Sequence, residues 1–137
     1  MKFSTRGRYG TRMMLDLALH YDQGPVQIGD ISRRQDISVK YLEQLIIPLK
    51  KANFVNSVRG PKGGHMLAKH PKEITVGQIA EVLESGLDLT VCVRDASMCE
   101  RSADCLIRDT WEEASKAMYD KLNSVSLYKI IRSKKHC

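Results

Sequence analysis

Apolar positions along residues 9–21 (YGTRMMLDLALHY) fall at helical spacing, placing Met13, Met14, Leu17, Ala18 and Tyr21 on one face. Asp22-Gln23-Gly24-Pro25 then breaks the pattern. Residues 26–34 predict a short second helix with Ile28 and Ile31 inward, and Gln35-Asp36-Ile37 forms a tight connection. Ser38 suits the N-cap of a third helix over residues 38–52, because its hydroxyl can accept from a free first-turn amide. Tyr41, Leu42, Leu45, Ile46 and Leu49 form its apolar stripe. Pro48 lies deep in that segment and is expected to kink or end the helix, leaving Lys50-Lys51-Ala52 bent or loosened.

The period then shortens. Residues 54–58 and 65–68 are strand-like runs on either side of Arg59-Gly60-Pro61-Lys62-Gly63-Gly64, which predicts a β-hairpin with a basic, glycine-rich tip. Residues 76–84 return to helical spacing, with Ile79, Val82 and Leu83 apolar, and residues 86–104 have no clear period. From Cys105 onward, Ile107, Trp111, Ala114, Met118, Leu122 and Val125 make one stripe on a helix of about twenty residues. Leu127, Ile130 and Ile131 mark a final short helix.

Helix, helix, turn, helix, hairpin is the order of a winged helix-turn-helix. The expected fold is mainly α with a small β-hairpin wing, followed by a long C-terminal dimerisation helix. Residues 1–85 would form the DNA-binding domain, 86–104 a cysteine-bearing sensor loop, and 105–137 the dimerisation helix and tail. A long helix with Trp111 and Met118 on one side needs a cover, and a second copy of itself is favoured over the chain's own N-terminal part.

Charge sharpens this picture. Lys and Arg outnumber Asp and Glu by 13 to 5 over residues 1–72, but stand at 9 to 11 over residues 73–137. A basic half joined to a near-neutral half points to a polyanion held by one part of the molecule. No run approaches the ~18 apolar residues of a membrane span. The opening MKFSTRGRYGTR is charged without an apolar stretch, so a secretory leader is not expected and the chain is assigned to the cytoplasm.

The third helix would enter the major groove of a double-stranded DNA operator, exposing Ser38, Lys40, Glu43 and Gln44, with the Tyr41 hydroxyl reaching outward. Gln pairs bidentately with adenine, Glu accepts from cytosine, and Ser is permissive. Glu43 on a basic surface also penalises wrong sites. Arg59, carried on a slim tip with Gly60, suits a narrow minor groove. Lys2, Arg6, Arg8 and Lys62 are candidate phosphate contacts. An enzyme is not expected. The Gly60-x-x-Gly63-Gly64 run joins strand to strand, and His20, His65 and His70 are scattered.

Cys92, Cys99 and Cys105 lie within fourteen residues, spaced C-x6-C-x5-C. Thiolates select soft centres. The absence of CxxC disfavours a zinc ribbon, and the wide gaps suit an iron–sulfur cluster, [2Fe–2S] or [4Fe–4S], better. Zinc and a reversible disulfide stay open as alternatives. Cys137 ends the tail Ser133-Lys134-Lys135-His136-Cys137 and is expected to be exposed.

The blocks MKFSTRGRYG, LDLAL, YLEQL and VRGPKGG, with the cysteine segment, the Trp111 helix and the closing SLYKII, resemble the bacterial Rrf family of winged-helix transcription regulators, the IscR-, NsrR- and CymR-like group. The resemblance covers essentially the whole chain. It implies a homodimer with crossed long helices, recognition helices in adjacent major grooves and wings in the minor groove. It also implies that Ser38, Lys40, Tyr41, Glu43, Gln44 and Arg59 occupy DNA-contacting positions. Some members add a histidine three residues after the last cysteine, where this chain has Arg108; others use an acidic residue near position 8, where it has Arg8. Three ligands are therefore kept; either Asp109, an acidic residue of the partner subunit or an exogenous ligand supplies the fourth, or the cluster is labile and its loss is the sensing event. Members lacking the cysteines answer to a regulatory protein partner. The expected function is a dimeric regulator sensing iron–sulfur, redox or nitrosative status. The alternative is a cluster-independent DNA-binding regulator controlled by a protein partner or by thiol oxidation.

Overall fold

A capping oxygen decides where the first helix starts. The Ser4 hydroxyl accepts from the Gly7 amide at 3.0 Å, so α1 runs Thr5–Leu19, opening four residues before the 9–21 segment that the apolar spacing marks. The computed structural model describes residues 2–84 and 86–133; Cys137 and the boundary expected at Ser85 lie outside them. Met13, Met14, Leu17 and Ala18 are buried as their spacing predicts, and Tyr21 packs against the same core.

Asp22 and Gly24 take positive φ and turn the chain into α2 (Ile28–Gln35). Residues 26 and 27 do not join that helix, as the apolar spacing suggested. Val26 instead exchanges both backbone hydrogen bonds with His65 at 2.8 Å, adding a one-residue rung to the hairpin. Asp36 closes α2 in the left-handed conformation, and Ser38 caps α3 (Val39–Lys51) by accepting from the Tyr41 amide at 3.2 Å.

Pro48 neither ends α3 nor loosens its last turn. The Ala52 amide donates to the Pro48 carbonyl at 3.0 Å, and the Phe54 amide to Leu49 at 3.0 Å. Proline removes only its own donor, and the buried Leu45, Ile46 and Leu49 clamp the helix on both sides of the gap. Strands β1 (Val55–Val58) and β2 (Gly64–Leu67) pair antiparallel, Val55 opposite Leu67 and Val58 opposite Gly64. Gly64 has φ +151° and lies against the Val26 backbone, where a Cβ would collide with main-chain atoms.

A capping box of Thr75 and Gln78 starts α4 (Val76–Leu83). It crosses α1 where Gly10 meets the Leu83 side chain, an approach that a Cβ would block. The 86–104 segment is not wholly irregular: Val91–Arg94 form a short α5, and residues 96–98 a 3-10 turn. The long helix, α6, spans Arg108–Asn123, sixteen residues that start one residue after Ile107, the first of its stripe. The chain returns to the core through α7 (Leu127–Ser133): the Leu127 amide donates to Ile74 at 2.9 Å, the Val76 amide to Val125 at 2.8 Å, and Leu127 is fully buried.

One buried carboxylate in this core is met by polar groups from its edge. Asp16, 1% exposed, accepts from Arg34 Nε at 3.0 Å, Arg34 Nη2 at 2.7 Å and Gln35 Nε2 at 3.0 Å. The bond to Asp16 holds the Arg34 guanidinium above its already high ordinary pKa. Arg12 adds a hydrogen bond to the Gln35 carbonyl. A buried carboxylate is tolerated only with such partners. Asp16→Asn is expected to cost about 2–3 kcal/mol in urea unfolding, and a loss under about 0.5 kcal/mol would refute a structural role for the pair.

Candidate nucleic-acid interface and cysteine segment

Burial of Leu42, Leu45, Ile46 and Leu49 fixes which side of α3 faces out. Lys40, Glu43 and Gln44 are all exposed, at spacings of three and four that put them on one face. Ser38 is exposed, but its hydroxyl is engaged in the cap. Tyr41 is half-buried, its ring edge-on to Tyr9 with centroids 5.8 Å apart, so it contributes to packing as well as to the surface. Ile47, 56% exposed, continues the Lys40–Gln44 face. An apolar residue there can meet a thymine methyl group. Its position off the buried stripe was the sequence signal for it, and sequence reasoning passed it over.

At the wing tip Arg59, Gly60 and Lys62 are exposed, with Gly60 at φ +110° and the Gly63 amide donating to the Gly60 carbonyl at 2.9 Å. Gln27 Nε2 donates to the Pro61 carbonyl at 3.2 Å, tying the tip to the start of α2. Lys2, Arg6 and Arg8 are exposed at the start of α1. The Arg8 guanidinium donates to Thr5 Oγ1 at 3.3 Å.

Each loop cysteine has its own setting. Cys92 is buried on α5, its sulfur 3.1 Å from the Thr90 hydroxyl; Cys99 and Cys105 are half-buried. Arg108 donates to the Cys92 carbonyl from Nε at 3.3 Å and Nη2 at 3.1 Å, and stands 3.8 Å from Glu112. Arg108 thus holds the cysteine segment to α6 mechanically and offers no lone pair to a metal. Among the described residues, no group of three His, Cys, Asp or Glu side chains is gathered to hold a metal ion. Three thiols are soft donors of the kind an iron–sulfur cluster takes, whereas the present arrangement is not a closed site. An open cleft of about 570 Å³ lies beside this segment, between α4 and α6. Its polar groups are paired internally: Arg94 with Asp88 at 3.1 Å, Lys116 with Asp120 at 2.7 Å, and Tyr119 with Glu81 at 3.2 Å.

The α6 stripe is only partly covered. Ala114, Met118 and Leu122 are half-buried and Ser115 is buried, its hydroxyl accepting from the Leu89 amide at 2.8 Å. Leu106 is 99% exposed and Trp111 38%. Part of the face therefore packs on α4 and the cysteine segment, and part remains open.

These elements define a winged-helix transcription regulator. The family profile described as "Iron-dependent Transcriptional regulator", Rrf2, matches residues 3–133, and the chain belongs to that family. It is 47% identical to Protein rrf2 of Nitratidesulfovibrio vulgaris over 137 residues, covering all of this chain and 91% of the relative. Two solved structures are similar. T. potens IscR superposes with a TM-score of 0.81 at 38% identity, covering 98% of this chain and 89% of the other. CymR, the global cysteine regulator of B. subtilis, gives 0.82 at 33% identity, covering 98% and 99%. The relatives are transcription regulators rather than enzymes. No helix among the described residues is long and apolar enough to cross a membrane.

His65 joins the wing to the core and carries a pH signature. Its Nδ1 is hydrogen-bonded with the Ser57 hydroxyl at 2.8 Å. Burial first, and the Lys50 charge second, hold its pKa below the ordinary imidazole value, against a smaller opposing pull from Glu43. The fold thus favours neutral His65. Its contribution is complete above the unfolded value of about 6.5 and is lost as pH falls below it, because the unfolded chain then binds more protons. Urea unfolding should show wild type losing more stability than His65→Gln on acidification through this range. Parallel profiles would refute it.

Proposed function

We propose that this protein is a dimeric, cytoplasmic transcription regulator that grips an operator with α3 and the wing and tunes that grip through Cys92, Cys99 and Cys105. The observation that carries the reading is the exposed face of α3 set beside a basic wing tip, on a chain of the Rrf2 family. Gln44, Glu43, Lys40 and Ser38 would meet base edges or nearby phosphates, Arg59 with Gly60 the minor groove, and Lys2, Arg6, Arg8 and Lys62 the backbone. Residues 1–85 form the gripping part, 86–104 the sensor, and 105–137 the pairing arm. Open Leu106, Ile107 and Trp111 support pairing through α6, which would place two heads one helical turn apart.

The three thiolates would hold an iron–sulfur cluster, a redox-active centre when bound, leaving one coordination position to Asp109, a partner-subunit acid or an exogenous ligand. Ligation by all three thiols would engage both α5, which carries Cys92, and the residues just before α6, which carry Cys105. The Arg108 bonds to the Cys92 carbonyl would carry a shift there to the pairing helix. A coupling of about 1–3 kcal/mol between loop state and DNA affinity is typical of such a device. The ungathered thiols also favour a second reading, in which thiol oxidation or a partner protein sets the affinity without a cluster.

Two measurements separate these readings. Gln44→Ala and Arg59→Ala should each weaken binding to a selected duplex about 5- to 100-fold, from about 1–3 kcal/mol per base contact, in fluorescence anisotropy of a light-scattering-verified dimer. Unchanged affinity for both would overturn the DNA interface. Protein prepared anaerobically with iron and sulfide should absorb in the visible range and lose that band in Cys99→Ala. Colourless wild type would remove the cluster and leave the second reading.

A further inference from the structure

The far end of α4 reaches back to the start of the chain. Glu84, just beyond Leu83, accepts on Oε1 from the Ser4 amide at 2.9 Å and from the Ser4 hydroxyl at 2.8 Å. The Ser4 hydroxyl accepts in turn from the Gly7 amide, so carboxylate, hydroxyl and first helical turn form one relay. Gly7 has no Cβ where the carboxylate rests, and any side chain there would displace it. Ser4 alone suffices to cap α1. The two extra bonds fix the backbone before the helix, the stretch that carries Lys2 and leads to Arg6 and Arg8.

We propose that Glu84 is a positioning residue for DNA binding: its bonds to Ser4 hold the basic start of the chain in the pose that meets phosphates. This rests on the reading that Lys2, Arg6 and Arg8 face the duplex. The arrangement makes an unusual demand, since an acid bonded to the stretch that carries the three cations Lys2, Arg6 and Arg8 should by charge alone repel DNA. Charge and positioning therefore predict opposite signs. If Glu84 acted only through its charge, removing it would tighten binding; as a strut, its removal frees the arm and weakens binding.

The test is anisotropy with a selected duplex over a range of salt concentrations. Glu84→Ala should bind about fivefold or more weakly and lose about one unit of salt slope per protomer, the signature of a forfeited phosphate contact. Glu84→Gln keeps an accepting oxygen and should stay near wild type. Gly7→Ala keeps the charge but occupies the carboxylate's place, so it should mimic Glu84→Ala, and it carries the comparison if Glu84→Ala fails to fold. Tighter or unchanged binding with an unchanged slope in the folded variants overturns the proposal. Wild-type protein that ignores DNA at low salt overturns the interface itself instead.

Discussion

Asp16 is a carboxylate inside an apolar core, and it sets where the outward-facing helix stands. It rises from the middle of α1 and accepts three hydrogen bonds from Arg34 and Gln35, the last residues of α2. Asp36 then turns the chain in the left-handed conformation, and Ser38 starts α3 only three residues after the anchor. Such a short connection leaves α3 little freedom once α2 is pinned. A charge pair of this kind adds little net stability over a well-packed apolar substitute. What it supplies is direction, because the guanidinium fork accepts the carboxylate in few orientations.

The remaining geometry follows from close approaches around that frame. Gly7 and Gly10 let the end of α4 lie on α1, and Gly64 lets the wing touch the Val26 backbone. The C-terminal part closes the core rather than standing apart from it: Leu127 is buried beside Ile74, and Gly77 lies against the Asn123 backbone. The N-terminal and C-terminal parts therefore share one packed body, and a shift at the cysteine segment has mechanical routes through it. Arg108 on the Cys92 carbonyl is one such route, and Glu84 on Ser4 another.

Local patterning made most of the fold legible. The stripe of α3, the hairpin with its tip, and the helix after it follow from period and turn chemistry within a few residues of where they occur. Long-range contacts were not legible. Val26 reads as the start of a helix, yet pairs with His65, whose backbone is brought to it only by the folded wing. Pro48 reads as a stop, yet flanking buried residues hold the helix through it. Nothing in the local pattern marks Asp16 as the partner of Arg34, which meets it from eighteen residues away. In the cysteine segment, the spacing displays three soft ligands but cannot show that they form no ready metal group, or that Arg108 ties the Cys92 backbone to α6.

In the proposed regulator, α3 and the wing grip duplex DNA as a symmetric pair. Hydroxyl-radical footprinting on a duplex selected from a random library tests this most directly. Two protected backbone patches related by a two-fold axis, about one helical turn apart and flanked by minor-groove protection that disappears in Arg59→Ala, are the predicted result. A single asymmetric patch, or a footprint indifferent to Arg59, would contradict it.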